Sequence, residues 1–429
     1  MNYTIDNSPF ADLKTYYDAT LNMDKTTYKS SNDEPTPMDC VAEMMSKVPD
    51  ELWSRDNLSI LDPCCGNGNF GLQAFHELSL RGRKTKEIVE QILEFGDINE
   101  ARLNNVSRVF CGDVYKLQVM NRDFLKVEDN GTLKCKYDLI TANPPYAQLM
   151  ADGTRASKNH NMVKSFIDTA LRRLKPNGYI LFITPDNWMS YADRNVLIGE
   201  LTSKQIVHLD IGSAKKHFKK VGSSFTWYVV QNCPAYKDMT VSGIWKKTAY
   251  ESQVASMPRR YIPLVYNCTI QGILAKTVDN DSLKKFAVQT SSDLHKYTKA
   301  SLIRVDKCDV YKHKLIHTPS QTVYASRPHK FQEGYKVFLS TTDKYGVKVD
   351  CCGMTQSIAF IMCDDEEKAL QIASVLEHPL YRFINNICRW GNFNNVRILQ
   401  RFPVPINSAD IFGSFGITAV EQEYILANM

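Results

Sequence analysis

No stretch of this 429-residue chain approaches the ~20 consecutive apolar residues that cross a bilayer. Its first residues, Met1-Asn2-Tyr3-Thr4-Ile5-Asp6, lack the basic and then apolar pattern of a secretory leader, so a cytoplasmic location is expected. Twelve cysteines are present, yet two adjacent pairs, Cys64-Cys65 and Cys351-Cys352, and eight scattered residues leave no C-x-x-C spacing. That argues against zinc modules, with no metal expected, and for reduced thiols. No Pro-Asp…Asp/Glu-x-Lys pattern suggests a fused nuclease. The glycine-containing turn near residue 66 also lacks the three spaced glycines that cradle a pyrophosphate, which argues against a dinucleotide.

The chain is longer than one core usually supports, so two domains are expected, 1–235 and 236–429. Charge separates them. Residues 1–232 carry 28 Lys+Arg against 29 Asp+Glu and 233–429 carry 24 against 18, so the formal excess of +5 lies entirely in the second part. Within it, 233–350 holds 19 basic and 10 acidic residues with Tyr, His and Phe interleaved. This balance suits a face that meets a polyanion, and equally a solvated lysine-rich surface.

The first part alternates strand and helix patterns. A strand at 58–61 runs into Asp62-Pro63-Cys64-Cys65-Gly66-Asn67-Gly68-Asn69-Phe70 and a helix at 71–80. A helix at 86–93 leads to Glu94-Phe95-Gly96-Asp97-Ile98-Asn99, and a strand at 117–121 leads to Arg122-Asp123-Phe124-Leu125. The strand Tyr137-Asp138-Leu139-Ile140-Thr141-Ala142 ends in Asn143-Pro144-Pro145-Tyr146; a helix at 163–174, a turn at 175–178 and a strand at 179–183 follow. This rhythm predicts a doubly wound, Rossmann-like α/β sheet that binds ligands at the carboxyl ends of its strands. There, Gly66 and Gly68 allow a tight turn beside a ligand, and Asp62 can take an amino group. Asp97 suits two ribose hydroxyls and Ile98 a purine face, while Asp123 and Phe124 suit an adenine amino group and ring. Asp113, in Cys111-Gly112-Asp113-Val114, competes with Asp123 for that role, and a strand-end Asp is often only a helix cap. Together they point to S-adenosylmethionine.

Asn143-Pro144-Pro145-Tyr146 reads as an amino-group methylation site. An exocyclic ring amine is a poor nucleophile because its lone pair is delocalised, so a catalyst must hold both N–H bonds and let the nitrogen pyramidalise. Asn143 offers a side-chain carbonyl oxygen and Pro144 a backbone one. Pro144 and Pro145 stiffen the loop, and Tyr146 supplies a flat stacking face.

In this order the motifs resemble those of class I methyltransferases that act on adenine N6 in DNA. Glu34-Pro35-Thr36-Pro37-Met38-Asp39-Cys40-Val41 resembles the Thr-Pro motif that precedes the glycine turn in the gamma arrangement of that family. The resemblance covers roughly 28–232 and implies cofactor contacts at Thr36, Pro37, Asp62, Pro63, Cys64, Gly66, Gly68, Asp97, Ile98, Asp123 and Phe124. Thr184-Pro185-Asp186-Asn187-Trp188 is similar to the strand end after the catalytic loop. His217-Phe218-Lys219-Lys220-Val221-Gly222-Ser223-Ser224 is similar to the segment whose Phe sandwiches an extruded adenine against the catalytic Tyr, which implies Phe218; core packing is the other reading of Phe218.

After about residue 240 the rhythm fades into short apolar runs, 335–339 and 357–362, then helices at 366–377 and 379–388. In texture this resembles an α+β target-recognition domain. Arg389, Arg397, Asn394 and Asn395 suit base edges, or equally the ordering of turns or phosphates. The expected partner is double-stranded DNA, with no membrane association; a monomeric enzyme is expected, with a cognate endonuclease as a further partner. The polar stretch 147–161 is expected to order when DNA binds. RNA, protein glutamine, or binding of nucleic acid without turnover are the rival readings, with the basic second part against a protein substrate.

Overall fold

The computed structural model describes residues 3–24, 34–126, 136–146, 161–193, 195–218, 222, 224–342 and 344–429; the stretch 147–160 lies outside them. The chain divides into two compact units, Met1–Asp186 with Val196–Arg259, and Asn187–Asn195 with Arg260–Met429. The division falls after Arg259 and not at 235/236. Two further strands, Met239–Trp245 and Thr248–Val254, continue the first sheet and so keep their residues in the first unit.

The first unit is built on nine strands, β1 (Ile60–Asp62), β2 (Leu93–Asp97), β3 (Gln118–Asn121), β4 (Tyr137–Ala142), β5 (Leu174–Pro185), β6 (Lys204–Ile211), β7 (Phe225–Pro234), β8 (Met239–Trp245) and β9 (Thr248–Val254). Their order is β3-β2-β1-β4-β5-β7-β6-β8-β9. The run from β3 to β5 is parallel, and β7 is antiparallel to both neighbours. β2 and β4 are buried at every residue, as strands covered on both faces must be, whereas the outer β3 alternates. The chain leaves β1 toward β2 and β3 and then returns to β4 on the other side. That reversal opens a crevice outside the carboxyl ends of β1 and β4, which carry Asp62 and Asn143.

The helix Asn69–Leu80 follows the glycine turn and lies close to β2 at Gly71. A Cβ there would sit 2.2 Å from Phe95 Cε1, and Phe95 is itself buried against Phe110 with ring centroids 4.9 Å apart. Alanine usually gains ~1 kcal/mol over glycine inside a helix. Here overpacking outweighs that gain, and Gly71→Ala is expected to destabilise the chain by about 1–3 kcal/mol, read as a lowered denaturant midpoint. An unchanged or raised midpoint would show that Phe95 can move aside.

The second unit holds two four-stranded sheets, one of Gln289–Thr290, Ile358–Met362, Lys336–Ser340 and Val347–Asp350, the other of Ile303–Arg304, Gln321–Ala325, His313–Thr318 and Gly353–Met354. The helices Glu366–Leu376 and Pro379–Ile387 follow. The candidate base readers each have partners within the second unit. Asn394 is 2% exposed, donates to the Ser340 carbonyl at 2.8 Å and accepts from Asn385. Asn395 caps the helix Val396–Leu399 and donates to the Tyr191 carbonyl. Arg397 pairs with Asp193, and Arg389 donates to the Asn392 carbonyl.

Candidate active site

The glycine turn is tied to the end of β2. Cys65 N–H donates to the Gly96 carbonyl and Gly66 N–H to Asp97 Oδ2, each at 2.9 Å, while Asp97 Oδ1 accepts from Asn99 N–H. Gly68 takes φ +88° where it starts the helix Asn69–Leu80, a conformation that side chains disfavour. Asp62, at the end of β1, is 3% exposed, and among the described residues neither of its carboxylate oxygens has a hydrogen-bond partner of normal geometry. Burial, and then the like charge of Asp97, push its carboxyl well above the usual carboxylate range, opposed by the backbone amide of Cys64. A buried acid beside a second acid, with no cationic side chain paired to it among the described residues, favours a cationic ligand group.

An open cleft is lined by Glu34, Thr36, Cys64, Gly66, Asn69, Arg102 and Asn143, among others. The structure thus brings four of the expected residues, Thr36, Cys64, Gly66 and Asn143, to one opening. A smaller hollow is bounded by Pro63, Gly96, Met120, Arg122, Phe124 and Arg173. Ile98 is 57% exposed beyond β2. Asp123 follows β3 at its carboxyl end, where it accepts from Leu125 N–H at 3.0 Å. Asp113 is exposed in the turn that leads from the helix Glu100–Val109 into β3, at the opposite edge of the sheet. Pro37 precedes the helix Met38–Met45 and is half-buried.

At the end of β4, Asn143 Nδ2 donates to the Glu34 carbonyl at 3.0 Å and to Thr36 Oγ1 at 3.1 Å, and its Oδ1 accepts from the Tyr146 hydroxyl at 2.5 Å. Pro144 is buried and Pro145 exposed. The Tyr146 ring lies 5.8 Å from that of Phe225, and Phe218 lies 4.9 Å from Phe225. Phe225, the first residue of β7, therefore touches both rings expected to stack on a base, and Phe218 is only 4% exposed. The turn that carries Phe218 is held to the helix Met38–Met45 by Lys216 and His217, which reach Glu43 at 2.8 and 2.9 Å. At the end of β5, burial pushes the Asp186 carboxyl up to about 6.

Sequence reading passed over Asn69, Arg102 and Phe225. Asn69 donates to the Thr36 carbonyl at 2.8 Å, and its alternation with Gly66 and Gly68 is a signal that could have marked it. Nothing in the local pattern of Phe225 separates it from a core strand residue.

Residues 67–215 match the family described as Eco57I restriction-modification methylase. The Type II methyltransferase M.VspI of Vibrio sp. (strain 343) is 26% identical over 194 residues, 42% of this chain and 44% of that protein, so the match spans under half of this relative. Two solved structures share the fold at low identity. The Type IIL restriction-modification enzyme MmeI in complex with DNA has a TM-score of 0.54 at 9% identity, over 92% of this chain and 66% of that one. The DrdV–DNA complex has a TM-score of 0.54 at 12% identity, over 98% and 60%. The chain thus shares the fold of these two structures, with a doubly wound, Rossmann-like sheet in its first unit, and residues 67–215 carry the sequence pattern of the Eco57I restriction-modification methylases.

Proposed function

We propose that this chain transfers a methyl group from S-adenosylmethionine to N6 of an adenine extruded from double-stranded DNA, within or in counter to a restriction-modification system. The observation that carries the reading is the Asn143 amide, whose nitrogen is tied back to residues 34 and 36 so that its oxygen is the end left as acceptor. The methylase family match at 67–215 includes this residue and supports the reaction class.

The residues fit S-adenosylmethionine. The buried Asp62 suits its amino group, Asp97 its ribose hydroxyls, Asp123 and Phe124 its adenine, and Pro37, Pro63, Cys64, Gly66, Gly68, Ile98 and the backbone around Thr36 its remaining surface. When bound, it supplies an electrophilic methyl group on a sulfonium. Asn143 Oδ1 and the Pro144 carbonyl accept the two N–H bonds of the target amine, which frees its lone pair to leave the ring plane. Tyr146 gives up its bond to Asn143 to let the amine in, and its ring stacks on the base with Phe218 and Phe225 around it. Pro145 keeps the loop stiff. The second unit reads the duplex, and the basic excess of the chain beyond residue 232 suits it to the phosphates.

Single-molecule sequencing of DNA from cells expressing the protein tests this, scored for N6-methyladenine against cells expressing Asn143→Ala. Methylation confined to one short motif is the expected result. No signal above the variant would redirect the assignment to RNA or protein as acceptor.

A further inference from the structure

We propose that Thr36 is a positioning residue for Asn143, fixing, together with the Glu34 carbonyl, which end of the Asn143 amide faces the cleft. The inference deepens the proposed function, because it rests on the reading of Asn143 as the amine acceptor. Asn143 Nδ2 has two hydrogens, and each has its own acceptor, the Glu34 carbonyl at 3.0 Å and Thr36 Oγ1 at 3.1 Å. A backbone carbonyl can only accept. Turning the amide over would set Oδ1 against the Glu34 carbonyl and take both donors from their partners. The acceptor oxygen is thereby kept on the side where the Tyr146 hydroxyl meets it.

Thr36 is built to hold this place. It is 3% exposed, and its own carbonyl accepts from Asn69 Nδ2 at 2.8 Å, so the start of the helix behind the glycine turn anchors it. Asn69, Thr36, Asn143 and Tyr146 form one chain of hydrogen bonds from the glycine turn to the stacking ring. The cofactor contact that the motif resemblance implies for Thr36 is a different role, and the two leave different signatures. Removing a direct contact with the cofactor lowers cofactor affinity, whereas loosening the acceptor lowers turnover and leaves affinity in place.

Thr36→Val and Thr36→Ser separate them. The three readouts are the Asn143 side-chain amide resonances of the cofactor-free protein, calorimetric affinity for S-adenosylmethionine, and turnover on DNA at saturating cofactor. Thr36→Val is expected to shift the Asn143 amide signal and speed its exchange. It should lower turnover about tenfold with cofactor affinity within about threefold, and Thr36→Ser should restore both. An unshifted amide signal with wild-type turnover would overturn the proposal, as would a loss confined to cofactor affinity or a Thr36→Ser variant as impaired as Thr36→Val. Should the wild-type protein transfer no methyl group to DNA, the proposed substrate fails; the Asn143 resonances still decide the role of Thr36.

Discussion

Asn143→Ala is expected to lower turnover at saturating cofactor by about 10²–10³-fold, the usual loss when one preorganised polar group is removed from a transition state. The acceptor matters most as the nitrogen begins to pyramidalise, when its N–H bonds become more acidic, so the loss should fall on kcat more than on cofactor affinity. Two local effects need separation from this one. The variant leaves Thr36 Oγ1, the Glu34 carbonyl and the Tyr146 hydroxyl without their present partner, so a modest loss of stability is expected. Cofactor affinity within about threefold of wild type, measured by calorimetry, would show that the cleft survives. Turnover near wild type would remove Asn143 from the mechanism.

Asp62→Asn is expected to weaken S-adenosylmethionine binding roughly 10- to 100-fold, the worth of a charge-assisted hydrogen bond to an ammonium group. It should also alter how the cofactor-free protein responds to pH. Burial and Asp97 raise the Asp62 carboxyl in the folded chain. The folded state therefore holds a proton that the unfolded state releases near pH ~4. The stability linked to that proton is fully present below the unfolded value and is lost as pH rises toward the folded one. The neutral amide removes this slope. Thermal unfolding from pH 4 to 8 should show a smaller decline for Asp62→Asn than for wild type, together with a smaller gain in Tm on adding cofactor. Equal slopes and equal gains would place the cofactor amino group elsewhere.

Much of the first unit was legible because parallel strands covered on both faces must be continuously apolar and end in short functional turns. The strand at 137–142 and the helix at 71–80 appear nearly as expected, as Tyr137–Ala142 and Asn69–Leu80. The helix expected at 86–93 is present from Thr85 to Ile92, its second part widened to a π-helical turn over Ile88–Ile92, and it ends where β2 begins at Leu93. The antiparallel β7 and the β8–β9 extension left no such trace. Pairing partners and direction are set across the sheet, and a buried strand reads alike whichever way it runs. Asn394 shows the same limit: it looks polar and available in one dimension, yet it is buried and its amide closes a turn against Ser340 and Asn385.

The reaction class and its ingredients are written in one dimension: the glycine turn, the acids that end β1 and β2, and the Asn143-Pro144-Pro145-Tyr146 loop are each set by a few consecutive residues whose chemistry is local. Their relations to one another come from the folded chain alone. Topology puts Asp123 at the carboxyl edge beside Asp97 and Asp113 at the other edge, since a turn entering β3 and a turn leaving it lie at opposite ends of the strand. Packing brings Phe225 against both Tyr146 and Phe218, and folding sets residues 34 and 36 on the amide of Asn143. Most of these contacts join segments about 80 to more than 100 positions apart, and only the closure of the sheet, which no local pattern encodes, makes them neighbours.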